Sequence, residues 1–324
     1  MSIRIGVIGT GVHGLHHVRL LSSMKTVDFT GIYDSDEEVR RRVSSEFSVK
    51  AFDSIEALLD IVDCVSIVVP TSKHFDVVMK CLSKGISVLV EKPISSTVEE
   101  AEVMIAEAEK RDVVLSVGHI ERFNSAYRSV MSSDISPVFI ESHRLAVFNP
   151  RGTDVAVVLD LMIHDIDIIL NMVKRPAVSV NAVGVSVVSD EVDIANARIE
   201  FDNGCVANLT SSRISQKKMR KIRVFKKNSY ISMDFLTGES EVFTLKSGFK
   251  PEASPGLLPQ MMEGISYNKF PNDGLNALEL ELADFIGAVE NQAEPNVTGY
   301  DGEKALEIAS MVMESMKISA RRME

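Results

Sequence analysis

The sequence predicts an α/β part followed by an α+β part: a doubly wound parallel sheet first, then an open antiparallel sheet with helices on one face. Three observations predict this. Up to about residue 132, short continuous apolar runs alternate with helical stretches, as expected of strands covered on both faces of a parallel sheet. Beyond Ser136 the apolar residues fall into period-two runs, as expected of strands with one wet face. Turn signals such as Asp202-Asn203-Gly204 and Thr237-Gly238 separate those runs. A length of 324 residues suits about two domains. The expected division is 1–120 and 121–324, with the closing helices able to pack back on the first domain.

In the first part, Ile3–Ile8 reads as a strand, followed by a glycine-rich turn and a helix to about Ser23. Val27–Tyr33 is the second strand and Asp36–Phe47 the second helix. A short helix over Ile55–Ile61 precedes the continuous apolar strand Cys64–Val69. Lys73–Lys84 is helical, Ile86–Val90 is a strand, and Val98–Arg111 is helical again. Val113–Val117 closes the series, with a helix near Arg122–Ser132. In the second part, Val138–Val147 reads as a strand and the region around Val155–Val173 as a helix. The runs Val178–Val188, Ile194–Phe201, Cys205–Ser212, Ile222–Phe225, Tyr230–Asp234 and Glu241–Leu245 follow as strands. A Pro- and Gly-bearing loop is expected from Ser247 to Gly274, long enough to point to function or mobility. Helices Leu275–Asn291 and Gly302–Arg321 end the chain.

Composition narrows the possible functions. The net charge of −11 speaks against general nucleic-acid binding, which needs an excess of Lys and Arg to neutralise phosphates. No apolar run is long enough to span a membrane, and the glycine-broken N-terminus does not read as a signal peptide. Cys64, Cys81 and Cys205 are scattered without metal-ligand spacing, so they read as reduced thiols of a cytoplasmic protein, and no metal site is expected. Tryptophan is absent, so a sugar would have to stack on Phe, Tyr or aliphatic side chains.

Four motifs carry chemistry. Gly9-Thr10-Gly11-Val12-His13-Gly14 follows a strand and opens a helix, the context in which such a turn cradles a pyrophosphate at a helix N-terminus. Asp34 ends the second strand, 20 residues after Gly14, where a carboxylate accepts ribose hydroxyls and repels a 2′-phosphate. The expected cofactor is therefore NAD. Arg40, Arg41 and Arg42 lie further along a helix and read as solvated.

Glu91-Lys92-Pro93 follows the buried strand Ile86–Val90, so Lys92 is delivered to the carboxyl end of a sheet strand, where open parallel sheets bind ligands. Pro70-Thr71-Ser72-Lys73-His74 sits after the Cys64–Val69 strand. His74 there is either a cofactor contact or a residue packing the helix start. Asp160 and His164 are four apart on a helix and share a face, with Asp167 one turn on. A carboxylate beside an imidazole fixes its tautomer and raises its basicity. Arg213 with the stretch Lys217 to Arg223 is basic in an acidic chain: either a solvated strand and turn or a clamp for substrate phosphates.

These motifs together resemble the Gfo/Idh/MocA oxidoreductase family. The residues that carry the resemblance are Gly9 to Gly14, Pro70-Thr71 with His74, Glu91-Lys92-Pro93, Gly118-His119 with Arg122-Phe123-Asn124, and Asp160 with His164 and Asp167. The resemblance implies an NAD-dependent dehydrogenase acting on a CH–OH group. Gly9, Thr10, Gly11, Val12, His13, Gly14, Asp34, Pro70, Thr71, His74, Glu91 and Lys92 would line the cofactor. Lys92, Arg122, Asn124, Asp160, His164 and Arg213 would meet the substrate.

In this family the lysine of the Glu-Lys-Pro motif and the helix His and Asp surround the reacting carbinol, so the catalytic roles fall on Lys92, His164 and Asp160. The family's Lys-Pro peptide is often cis, so Lys92-Pro93 is expected to be. Its antiparallel sheet commonly pairs subunits, which implies a homodimer or homotetramer. Gly118 to Asn124, Arg151-Gly-Thr-Asp154 and Val158 to Asp167 look most like the nucleotide-sugar 3-dehydrogenases of that family. This implies oxidation of the 3-hydroxyl of UDP-N-acetylglucosamine or a related nucleotide sugar to a 3-keto sugar. Two other readings remain: a free polyol or aldose as substrate, or a dinucleotide-binding regulator without catalysis.

Overall fold

The computed structural model describes residues 2–131, 135–149, 155–249 and 264–321. By its internal contacts the chain divides into two units, Met1–Ile120 with Asn276–Leu306 and Glu121–Leu275 with Glu307–Glu324. The 151–154 stretch and most of the expected 247–274 loop lie outside the described residues.

The first unit holds strands β1 (Arg4–Ile8), β2 (Asp28–Tyr33), β3 (Cys64–Ile67), β4 (Ser87–Glu91) and β5 (Leu115–Gly118). They form a parallel sheet in the order β2-β1-β3-β4-β5. Helices α1 (Val12–Ser23), α2 (Glu37–Phe47), α3 (Ile55–Leu59), α4 (His74–Ser83) and α5 (Val98–Arg111) connect them. β3 is buried along its whole length, and so is β4 up to Val90, which is why both read as unbroken apolar runs. Side chains set where the helices begin: Asp36 caps α2 and Ser54 caps α3. Thr97 caps α5 by accepting from the Glu100 N–H, and the Glu100 side chain accepts from the Ser96 N–H just before the cap. α8 (Ala277–Asn291) completes the unit: Leu282, Phe285 and Ile286 pack in one cluster with Ile5, Val7, Val18 and Leu89. α9 (Gly299–Arg321) ends the described chain.

The second unit opens with a 3₁₀ turn over Ile120–Phe123 and the single-turn helix α6 (Ser125–Arg128). The helix expected near Arg122–Ser132 is thus broken at Asn124, whose side chain caps α6 instead of continuing a helix. Eight strands follow: β6 (Phe139–Leu145), β7 (Ala177–Val185), β8 (Ile194–Phe201), β9 (Val206–Ser212), β10 (Met219–Lys226), β11 (Ser229–Asp234), β12 (Glu239–Leu245) and β13 (Ile265–Phe270). Their order is β13-β12-β11-β10-β6-β9-β8-β7. The sheet is antiparallel except for β6 and β9, which pair in parallel. The helical crossover after β6 lets the β7–β8–β9 meander return beside it in the same direction.

β13 lies inside the stretch expected to be loop. It is an edge strand with exposed Ser266, Tyr267, Asn268 and Lys269, so its sequence lacks the apolar alternation that marks a strand with a buried face. The helix expected around Val155–Val173 is a π-helical turn over Val158–Met162 running into α7 (Ile163–Val173). Among the described residues, no helix is long and apolar enough to cross a membrane.

Candidate active site

In the first unit the glycine turn is dictated by crowding. Gly9 has φ +89°, and a Cβ there would lie 2.4 Å from the Val68 carbonyl oxygen. A Cβ on Gly14 would lie 2.0 Å from the Gly9 carbonyl oxygen. Gly11 differs: a Cβ there meets no protein atom within 4 Å. Two glycines are demanded by the chain itself, while the third leaves open ground at the start of α1. Gly11, Val12 and His13 are exposed there, and no side chain caps the helix. First-turn N–H groups of a helix have no intrahelical acceptor, so this opening fits a dinucleotide pyrophosphate.

Asp34 does more than the sequence implied. Its Oδ2 accepts from the Thr10 N–H at 2.6 Å and the Thr10 hydroxyl at 3.0 Å, and its Oδ1 accepts from the Asp36 N–H at 3.0 Å. The carboxylate therefore braces the glycine turn, and Thr10 is buried beneath it. Arg40 is not solvated as expected. It donates to the Asp34 carbonyl at 2.9 Å, pairs with Asp53 at 3.3 Å and lies over the Tyr33 ring. One turn into α2, it faces back over the end of β2, and its side chain is only 12% exposed.

The Glu91–Lys92–Pro93 corner ends β4, with Lys92 half-buried and the Lys92–Pro93 peptide cis. Glu91 Oε1 lies 3.3 Å from Nε2 of His17, a buried residue of α1, and His17 Nδ1 lies 2.9 Å from the Ser66 hydroxyl on β3. Glu91 Oε2 accepts from the Lys92 N–H at 3.2 Å. Burial by itself would raise the Glu91 carboxyl; the hydrogen bond and charge of His17, with the charge of Lys92, outweigh it and hold the group below its ordinary value.

His74 is buried with Nδ1 2.8 Å from the Pro93 carbonyl and Nε2 2.9 Å from the Val69 carbonyl. Of the two readings open for His74, this is the geometry of a residue that ties the end of β3 to the lysine corner. Burial pushes its imidazole below the ordinary value, against the pull of those carbonyls and of the Glu91 charge. Pro70 is exposed, and Thr71 is half-buried in a 3₁₀ turn. His17 and Ser66 were missed in the sequence; the signal available was a histidine three residues past the glycine turn.

In the second unit, Asp160 lies in the π-helical turn and His164 in the first turn of α7, both half-buried on a helix whose other residues are mostly buried. π-turns of this kind are frequent at functional sites. Asp167 does not flank His164 as expected. Both of its oxygens are taken by Arg122, at 2.8 and 2.7 Å, in a pair almost wholly removed from water. Arg122, expected at the substrate, is thus committed to α7. Asn124 is likewise engaged: it caps α6 and donates to Glu121 at 3.0 Å and to the Phe235 carbonyl at 3.1 Å.

A larger network escaped the sequence altogether. Arg144 on β6 donates to Asp165 Oδ1 at 2.8 and 2.6 Å and to Glu121 Oε1 at 2.8 Å. The Ser142 hydroxyl donates to Asp165 at 2.6 Å. Burial alone would lower the Arg144 guanidinium, but the two carboxylates outweigh it and raise it. Asp165 and Asp167 thus pin α7 to the rest of the unit, one on each side of the half-buried His164.

Arg213 is buried and donates to the Val155 carbonyl, next to the π-turn. The basic stretch does not gather into one clamp, because successive residues of a strand point to opposite faces. Arg220 lies by Glu121 at 3.5 Å, whereas Lys221 pairs with Asp234 at 3.1 Å and Arg223 with Glu141 at 3.4 Å. Among the described residues, no group of three or more His, Cys, Asp or Glu side chains could hold a metal ion.

A doubly wound sheet with this glycine turn, joined to a separate sheet unit, is the build of a dinucleotide-dependent oxidoreductase. Residues 3–119 match the model described as oxidoreductase family, NAD-binding Rossmann fold, and residues 116–231 match the GFO/IDH/MocA C-terminal domain. The chain belongs to the Gfo/Idh/MocA oxidoreductase family, and its cofactor is NAD. It is 35% identical over 321 residues to the UDP-N-acetylglucosamine 3-dehydrogenase of Acidithiobacillus ferrooxidans, covering 99% of each chain. A solved structure of that enzyme superposes with a TM-score of 0.90 at 34% identity, covering 98% of each. The scyllo-inositol 2-dehydrogenase (NAD(+)) of Bacillus subtilis is 25% identical, over 97% of this chain and 94% of the other.

Proposed function

We propose that this protein oxidises the 3-hydroxyl of UDP-N-acetylglucosamine, or of a related nucleotide sugar, giving a 3-keto sugar nucleotide and NADH. The observation that carries this reading is the end-to-end likeness, in sequence and in fold, to an enzyme of that name. When bound, NAD accepts the hydride that leaves the sugar carbon. The exposed first turn of α1 would hold the pyrophosphate, and Asp34 would receive the ribose. His164 takes the hydroxyl proton as general base, and Asp160 orients its imidazole. Lys92 hydrogen-bonds the same oxygen and stabilises the alkoxide as it forms.

The direct test is NADH absorbance over a panel of UDP-sugars and other nucleotide sugars, with an aminotransferase coupled to consume the ketone. Turnover on inositol or glucose with none on nucleotide sugars would move the substrate to a free polyol or aldose. NADH binding without turnover on any of them would favour a regulator. Lys92→Met should cut kcat by at least about 100-fold with NADH affinity retained, the scale set by removing one donor to a developing oxyanion. Wild-type turnover in that variant would sink the assignment.

We also propose a cytoplasmic homodimer or homotetramer paired through the face of the eight-stranded sheet that carries a row of aromatic rings. Its support is a row of five rings across adjacent strands, Phe139, Phe225, Tyr230, Phe243 and Tyr267, with centroids 5.7, 5.0, 5.6 and 4.9 Å apart in turn. Val183 and Val185 stand exposed on β7. The three free, buried thiols suit a reducing compartment. A monomer in sedimentation at micromolar concentration would contradict the pairing.

A further inference from the structure

We propose that His17 is a positioning residue for Lys92, acting through Glu91, so that α1 sets the cofactor turn and the lysine corner together. The inference rests on the reading of Lys92 as the group that meets the reacting oxygen. Nε2 of the imidazole lies 3.3 Å from Glu91 Oε1, placed to donate to it, and Nδ1 lies 2.9 Å from the Ser66 hydroxyl. Both nitrogens of a ring that is 2% exposed therefore have a partner. The second carboxylate oxygen receives the Lys92 N–H at 3.2 Å. A single path of hydrogen bonds therefore runs from β3 through α1 to the backbone of Lys92.

The corner has little freedom on its other sides. A Cβ on Gly118, which pairs with Glu91 across the sheet, would come within 3.2 Å of the Glu91 carboxyl oxygen, so the strand neighbour already abuts that group. Beyond Lys92, the Pro93 carbonyl is held by His74 at 2.8 Å. His17 is five residues along α1 from Val12, about 7.5 Å at the rise of a helix. The N-terminus of that helix faces the pyrophosphate site and its second turn grips the lysine corner.

The test contrasts two amides at position 17. His17→Gln extends an N–H to about the Nε2 position and keeps the link to Glu91. His17→Asn stops near Nδ1, keeps Ser66 and loses Glu91. With the proposed nucleotide-sugar substrate, His17→Asn should lower kcat about 100-fold, the cost of misplacing a reacting group by about 1 Å, while KM for NAD and the NADH dissociation constant stay within about twofold. His17→Gln should restore kcat to within about fivefold of wild type. Equal kcat in the two variants would overturn the proposal, because only one of them reaches Glu91.

Glu91→Gln reads the same link from the other end and serves if His17→Asn does not fold. The doubly substituted protein, His17→Asn with Glu91→Gln, should be no slower than Glu91→Gln alone, and additive losses would also overturn it. Lys92→Met separates the two claims. If that variant turns over normally, the reading of Lys92 fails and this inference with it. If it is inactive while His17→Asn is as fast as wild type, only the inference fails.

Discussion

Arg144→Met is the most exposing single change in the second unit. Arg144, Asp165 and Glu121 have side chains 3%, 3% and 6% exposed, so the substitution strands two carboxylates out of water. Breaking a buried pair by removing one partner costs about 3–5 kcal/mol, because the remaining charge keeps its desolvation penalty and loses its compensation. Here the survivors keep some help. Asp165 retains the Ser142 hydroxyl at 2.6 Å, and Glu121 retains Asn124 at 3.0 Å and Arg220 at 3.5 Å. That places the loss at the lower end, about 3 kcal/mol, a large fraction of a typical stability of about 5–15 kcal/mol. For a unit of this size it corresponds to a fall in Tm of about 6–12 °C.

Urea unfolding followed by far-ultraviolet circular dichroism measures the loss directly. Asp165→Asn added to Arg144→Met should recover about half of it, since it removes one stranded charge and keeps the shape. A loss below about 1 kcal/mol, or no recovery in the double variant, would refute the account of α7 as held by charge pairs.

Two further outcomes follow from the first unit. Gly14→Ala drives a methyl into the Gly9 carbonyl and should weaken NADH binding at least about 100-fold in fluorescence titration, whereas Gly11→Ala should leave Tm within about 2 °C and lose affinity only; equal behaviour of the two would contradict the division of labour in the turn. Acidification should destabilise the lysine corner in two stages. His74 is held below its ordinary 6.5, so the unfolded chain takes up a proton first and stability declines as pH drops from that value towards the lower folded one. Glu91 is held below its ordinary 4.5, so a second loss sets in as pH falls through that value towards its folded one. His74→Gln should remove the first stage from a plot of unfolding free energy against pH, and an unchanged plot would refute it.

Much of the first unit can be read from the chain because each signal is local. β3 and β4 are apolar runs because helices cover both their faces, and the crowding at Gly9 and Gly14 involves neighbours in the same turn or the adjoining strand. The alternation of β8 and β9 reports one buried face in the same way. β13 left no such mark, since an exposed edge strand has no face to bury. The break at Asn124 was equally hidden: an asparagine caps or continues a helix according to what surrounds it, and Glu121 and the Phe235 carbonyl decide that here.

The site divides along the same line. By itself the sequence determined the doubly wound sheet, the dinucleotide turn, the delivery of Lys92 to a strand end and the placing of Asp160 and His164 one turn apart. Only the tertiary structure decided that Arg122 belongs to Asp167, that Arg144 joins Asp165 to Glu121, that Arg40 folds back on Asp34, and that His17 meets Glu91. Periodicity and turn chemistry are written into a dozen consecutive residues. A buried charge takes whichever partner the fold brings within about 3 Å, and that partner can be anywhere in the chain.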